Sequence, residues 1–262
     1  MNVSSISGTT QLNMSEALFR AVAGNEFFLC LQPQYQLPDR SIAGAEALLR
    51  WNDPAHGIRF PAEFLPAAEH YGYAETLDLF ALEEACRCIH ACLDAQVPAV
   101  PISVNISSPS LYAAGFFDAV KDCIRRYNVP PGHLSVEFSA AFAEQHPVAL
   151  FKAIKQFHAL QCGCVIDGFS KGIALLERLC AFEIDAVKFD CGAFARQKDK
   201  YNCSSYMETL AAAQRMQITF VCEGVAEEEQ LQSLVRAGCT LLQGFALSPP
   251  VSSILFLKML QA

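Results

Sequence analysis

Seven apolar runs of this chain each carry one or two polar side chains near their end, where an unpaired charge is costly. In chain order these are Glu46, Asn105, Glu137, Asp167, Lys188 with Asp190, Glu223 and Gln243. One such residue could be a satisfied core hydrogen-bonder. Seven runs repeating the pattern point to convergence on one place, the mouth where parallel strands of a barrel end. Carboxylates, a neutral amide and a lysine gathered there suit a hard divalent cation such as Mg²⁺ or Mn²⁺, which takes oxygen ligands. None of the six histidines (56, 70, 90, 133, 146 and 158) falls on a strand end, so an imidazole-based zinc site is not indicated. A carboxylate-held metal beside a lysine fits phosphoryl chemistry, the metal polarising a phosphate oxygen and the lysine offsetting developing charge.

The elements that must position these groups follow from periodicity. Strands are expected at 27–37, 41–51, 101–107, 134–139, 162–169, 186–190, 218–225 and 240–247. The first two flank the short turn Pro38-Asp39-Arg40 and therefore form an antiparallel hairpin. Helices are expected at 62–72, 76–93, 113–127, 147–160, 173–181, 205–215 and 227–237, with an amphipathic helix at the C-terminal end. In the second, Leu79, Leu82, Cys86, Ile89 and Leu93 make one apolar stripe. Asp118 and Ser204-Ser205 read as helix starts and Gly238 as a helix stop. Eight strands alternating with helices over roughly 250 residues predict an α/β fold, a (β/α)₈ barrel, with an open doubly wound sheet as the alternative. No G-x-G-x-x-G follows a strand, so a Rossmann phosphate loop is not expected. The chain divides into an N-terminal tail, 1–13, and a single barrel domain, 14–262.

Composition limits the function classes. Of the 262 residues 52% are hydrophobic and 18% charged, which argues for a large core. The net charge of −8, with no basic run longer than Arg125-Arg126, supplies no footprint for DNA or RNA. No signal peptide and no apolar stretch of membrane-spanning length is evident, so a soluble cytoplasmic protein without membrane contact is expected. The 12 cysteines include no C-x₂-C pair and are read as reduced thiols packed as small hydrophobes. Trp51 and the aromatics of 112–127 are assigned to the core or to helix packing.

With the strands placed, the motif order resembles that of the EAL-domain family of bacterial cyclic di-GMP phosphodiesterases, from about residue 14 to 262. "QPQY" (32–35) and "AEALLRW" (45–51) match the opening signature, and "VNIS" (104–107), "VEFS" (136–139), "KFD" (188–190), "CEGV" (222–225) and "QGF" (243–245) follow in family order. The resemblance implies a modified TIM barrel with an antiparallel first strand and cyclic di-GMP as ligand. It also implies that Glu46, Asn105, Glu137 and Asp167 ligate a first metal, while Lys188 and Glu223 position and activate the nucleophile. Gln32, Leu48, Arg50, Asp190, Gln243 and Phe245 fall at positions near the nucleotide. Active members read D-D-F-G-T-G-Y-S after the fifth strand, where this chain reads Asp167-Gly168-Phe169-Ser170-Lys171-Gly172-Ile173-Ala174. The second aspartate, a metal ligand, is Gly168; the second glutamate of E-x-T-E is Ala140; the last residue of E-G-V-E is Ala226.

The expected state is therefore one Mg²⁺ or Mn²⁺ site with the second lost, because a two-metal clamp needs oxygens on both cations. The leading reading is an effector domain that binds cyclic di-GMP with little or no hydrolysis and reports it to a protein partner. A weak Mg²⁺- or Mn²⁺-dependent phosphodiesterase is the alternative, and a protein-interaction regulator that no longer takes the nucleotide is the third. Homodimerisation near the altered loop is a further expectation from the family. Lys171 could place its ammonium toward the second-metal position, against the plainer reading of a solvated loop lysine.

Overall fold

The computed structural model describes residues 4–169, 173–191 and 200–261, with side chains described for 14–169, 173–191 and 208–261. The expected antiparallel hairpin opens the sheet. Strand β1 (Phe27–Gln36) pairs with β2 (Ser41–Asp53) in a register that sets Gln32 opposite Glu46. The alternation of β1 shows what the barrel demands of a strand. Leu29 and Leu31 are buried under the helices, while Gln32 and Gln34 turn the other way and hydrogen-bond to Gln243 inside.

Parallel pairing then runs from β2 through β4 (Ile102–Asn105), β5 (Leu134–Ser139), β6 (Gly163–Phe169), β7 (Ala186–Asp190), β8 (Thr219–Glu223) and β9 (Leu241–Leu242). Antiparallel pairing of β9 with β1 closes an eight-stranded barrel. The remaining strands are short edge additions: β3 (Gly57–Arg59) extends β2, and β10 (Val251–Ser252) pairs with β1. The run expected at 240–247 is regular over only two residues, because Gly244 at φ 158 turns the backbone away after Gln243.

Helices cover the outside. In chain order they are α1 (Ser4–Ala23), α2 (Pro61–His70), α3 (Ala74–Asp94), α4 (Phe116–Arg126), α5 (Ala140–Gln145), α6 (Pro147–Ala159), α7 (Ile173–Cys180), α8 (Lys200–Arg215), α9 (Glu228–Arg236) and α10 (Ser253–Leu260). The segment expected as a tail is helical from Ser4 onward. On α3 the stripe is centred on Leu77, Ala81, Leu82, Ala85, Cys86 and Ile89, so Leu79 sits at its margin and Leu93 turns to solvent. The start of α4 is Gly115 at φ 85, which places Asp118 in the first turn, where its charge favours the helix dipole. Gly238 follows α9 at φ 87, as the stop signal predicted.

Two apolar layers hold this arrangement. The larger lies between the barrel wall and its helices, where Leu31, Val104, Val136, Ile166 and Val187 meet Leu82, Ile89, Ile154, Phe157 and Leu176. A smaller one packs Trp51 against Phe27, Phe64, Leu18 and Leu77, with the indole N–H donating to Glu26 at 2.9 Å. Fully burying such side chains contributes roughly 1.5–3 kcal/mol each. Phe116 is buried as expected, whereas Tyr112 is 65% exposed. The described cysteines are free thiols, and burial pushes Cys86, Cys88 and Cys162 up to about 12. Among the described residues no helix is long and apolar enough to cross a membrane.

Candidate functional site

The strand ends bring Glu46, Asn105, Glu137, Asp167, Lys188, Glu223 and Gln243 close together. Register places Asn105 beside Glu137, Ser139 beside Asp167 and Asp190 beside Glu223. The side chains that alternate inward from these positions meet around one cation. Lys188 is completely buried, and its ammonium touches Glu46, lies 3.1 Å from Glu137 and 3.3 Å from Glu223, and stands 4.0 Å from Asp167.

A second ring of contacts orients the acids. Asn105 donates to Glu46 Oε1 at 2.9 Å and Gln243 donates to Glu46 Oε2 at 2.7 Å. Gln243 also donates to Gln32 Oε1 at 3.1 Å and accepts from Gln34 at 2.9 Å. The Ser103 hydroxyl donates to Glu137 Oε1 at 2.5 Å. Ser103 and Gln34 escaped the sequence reading, although each lies two residues from an identified site residue on the same strand face. That period-2 spacing was the available signal.

Four carboxylates against one ammonium leave the centre acid-rich, and their proton affinities show it. Burial and the neighbouring Glu46 and Asp167 charges push Glu137 up to about 8, although Lys188 opposes this. Burial, with Asp167 and Glu46 repulsion, raises Glu223 to about 7. Glu46 goes the other way: burial would raise it, but the Lys188 charge and hydrogen bonds from Lys188, Gln243 and Asn105 together hold it below the usual range. Burial alone would lower Lys188, yet Glu137, Glu46 and Glu223 hold its ammonium well above the ordinary value. These oxygens are hard donors, and an excess of acid that shifts toward protonation is what a divalent cation would reverse.

The other sequence-identified residues lie outside this knot. Arg50 is buried at the upper end of β2; it donates to the Leu49 carbonyl at 2.8 Å and sits 4.9 Å over the ring of Phe60. Leu48 is half-buried, Asp190 is half-buried beside Glu223, and Phe245 is 69% exposed. Gly168 adopts φ +67, and its N–H donates to Asp167 Oδ1 at 2.8 Å. Lys171, considered above as facing the second-metal position, lies outside the described residues. A different groove of about 520 Å³ runs along α6 past Tyr112, His146, Val148 and Lys152, and no carboxylate lines it.

The EAL domain profile matches residues 15–250. The chain belongs to the EAL domain family. It is 32% identical over 242 residues to the bifunctional diguanylate cyclase/cyclic di-GMP phosphodiesterase MucR of Pseudomonas aeruginosa, covering 92% of this chain and 35% of MucR. It is 27% identical to the cyclic di-GMP phosphodiesterase RocR of the same organism, covering 91% of this chain and 61% of RocR. The EAL domain described here thus spans about a third of the length of MucR. Among solved structures, the MucR phosphodiesterase in complex with c-di-GMP superposes with a TM-score of 0.87 at 31% identity, covering 93% of this chain and 99% of that one. The Xanthomonas citri FimX EAL domain in complex with c-di-GMP shares the fold, with a TM-score of 0.85 at 20% identity over 95% and 97% of the two chains.

Proposed function

We propose that this EAL domain binds cyclic di-GMP as an effector and hydrolyses it little or not at all. The observation that carries the reading is the pair Asp167-Gly168 at the end of β6. Here the strand delivers one carboxylate to the mouth, and the next residue contributes only backbone in the left-handed region. A two-metal clamp needs protein oxygens on both cations, and glycine has no side chain to give one. Every tenfold loss in rate corresponds to about 1.4 kcal/mol of barrier, so one missing cation removes several decades.

Binding is supported by what remains around the opening. The Arg50 guanidinium, backed by Phe60, is a planar fork suited to a phosphate, and Phe245 offers an exposed aromatic face beyond Gln243. The donor set of Glu46, Glu137, Asp167 and Asn105 fits one Mg²⁺ or Mn²⁺. When bound, that ion would polarise a phosphate oxygen. The protein's own groups hold the charge balance: Lys188 compensates the acids, and Glu223, raised to about 7, can accept or hold a proton near neutral pH.

A second reading, slow single-metal hydrolysis, is favoured by the same convergence, since Glu46, Glu137, Asp167 and Glu223 all meet Lys188. Calorimetric titration of cyclic di-GMP, with and without Mg²⁺ or Mn²⁺, followed by chromatography of the samples, separates the two. We expect saturable heat and unchanged nucleotide. Absence of heat at high micromolar ligand overturns binding, and linear dinucleotide appearing with Mn²⁺ favours the enzyme.

A further inference from the structure

The opposite end of the barrel is open as well. The interior of a TIM barrel is ordinarily filled with layers of bulky branched side chains. Here inward positions at the starts of several strands are small, Gly44, Ser135, Gly163, Ala186 and Thr219, and a cavity of about 310 Å³ rises between them past the larger Val165, Val221 and Leu241. It ends against Ser103, Glu137 and Lys188, the underside of the acid–lysine centre. Gly163 packs directly against Ser135 in the cavity wall, where a Cβ would lie 2.6 Å from the Ser135 hydroxyl. Thr219 is exposed, and Ser135 and Gly163 partly so, although strand alternation turns all three inward. Solvent entering from below accounts for this. At roughly 30 Å³ per molecule the space takes on the order of ten waters.

Polar side chains link this chamber to the centre by two routes. Ser103, at its inner end, donates to Glu137 at 2.5 Å. Gln34, in its wall, donates to Gln243 at 2.9 Å, and Gln243 in turn donates to Glu46 at 2.7 Å. Both buried acids are therefore connected to groups that face the chamber.

We propose that the floor of the barrel is a second way in, through which water and small neutral solutes reach the underside of the Glu46–Glu137–Lys188 centre. This route stays open when a ligand covers the mouth; only that last clause rests on the nucleotide-binding reading. The centre then stays hydrated in the liganded state.

The test places single cysteines in the whole chain, Ser135→Cys midway and Ser103→Cys at the inner end, and treats them with methyl methanethiosulfonate. Peptide mass spectrometry reads the introduced position apart from the native thiols. Both positions are expected to be modified. Thr219→Phe at the outer lip should slow both by about tenfold or more, because thiol modification depends on access, and cyclic di-GMP should leave both rates within about twofold. The proposal is overturned if Ser135→Cys is unreactive, or if Ser103→Cys stays unreactive while Ser135→Cys is modified. It is equally overturned if Ser103→Cys is slowed by nucleotide and not by Thr219→Phe. Should Ser103→Cys fail to fold, Ser135→Cys with and without Thr219→Phe decides. Should the nucleotide fail to bind, the binding reading falls while the Thr219→Phe arm still tests the floor.

Discussion

Asp78 and Lys188 are both charged groups buried in one barrel, and their surroundings follow opposite plans. Asp78, on α3, accepts hydrogen bonds from neutral donors: the Ser107 N–H at 2.8 Å and the Ser107 and Ser110 hydroxyls at 2.6 Å each. It ties the turn after β4, two residues beyond Asn105, to the helix layer. Lys188 instead faces four carboxylates, more negative charge than one ammonium balances. A complete polar cluster is what a fold builds to hold a turn. An unbalanced one marks a candidate functional site, and an excess of acid is the imbalance that a cation would offset.

The sharpest way to break the comparison is Lys188→Met. Removing one partner of a buried ionic group costs about 3–5 kcal/mol, so urea unfolding should show the largest loss in the protein. Millimolar Mn²⁺ should restore part of it, since a cation can take the ammonium's place among the acids. Unchanged stability, or a loss indifferent to Mn²⁺, would show that the centre is not held by charge balance. Asp78→Ala should cost less, about 2–3 kcal/mol, by removing the carboxylate that the Ser107 N–H and the Ser107 and Ser110 hydroxyls share as acceptor, and no divalent cation should repair it.

Acidity separates the two further. Burial, opposed by the serine hydrogen bonds, raises Asp78 from 3.8 to about 6. Between those values the unfolded chain has released this proton and the folded one retains it, so stability from this group is present below pH 4 and is lost as pH rises through 6. The loss is on the order of 3 kcal/mol. Unfolding of wild type and Asp78→Asn across pH 3.5–7 should show a difference that changes over this window; a flat difference would contradict it. The smallest expected effect on stability is that of Gly168→Asp. A Cβ there meets nothing within 4 Å, and aspartate tolerates φ +67 better than most residues. The cost should be about 1 kcal/mol or less, while chromatography should show more linear dinucleotide with Mn²⁺ than wild type gives. No gain in product would mean that the missing oxygen at 168 is not what limits hydrolysis.

All eight barrel strands were legible because each is an apolar run whose alternation survives burial on both faces. Other elements were not. The helix α1 begins in Ser, Gly and Thr, poor helix formers without apolar period, and depends on Leu18 and Ala21 packing under Trp51 and Phe64. The six-residue α5 is announced only by Ser139, whose hydroxyl caps Phe142 N–H at 3.2 Å. The strand β3 has three residues and exists because it pairs with the far end of β2.

In the site, residue types and strand-end positions specified which groups converge, since period 2 and barrel closure leave an inward strand-end side chain nowhere else to point. The sequence alone also determined that position 168 brings no carboxylate. What only the tertiary structure decided is the ranking within the set: Lys188 is at the hub, Glu46 is kept ionised by it, and Glu137 and Glu223 are pushed toward protonation. Those differences come from distances of 3–4 Å and from burial between strands far apart in the chain. Electrostatic energy depends on such separations and on the exclusion of water, and neither quantity is written in the order of residues along one strand.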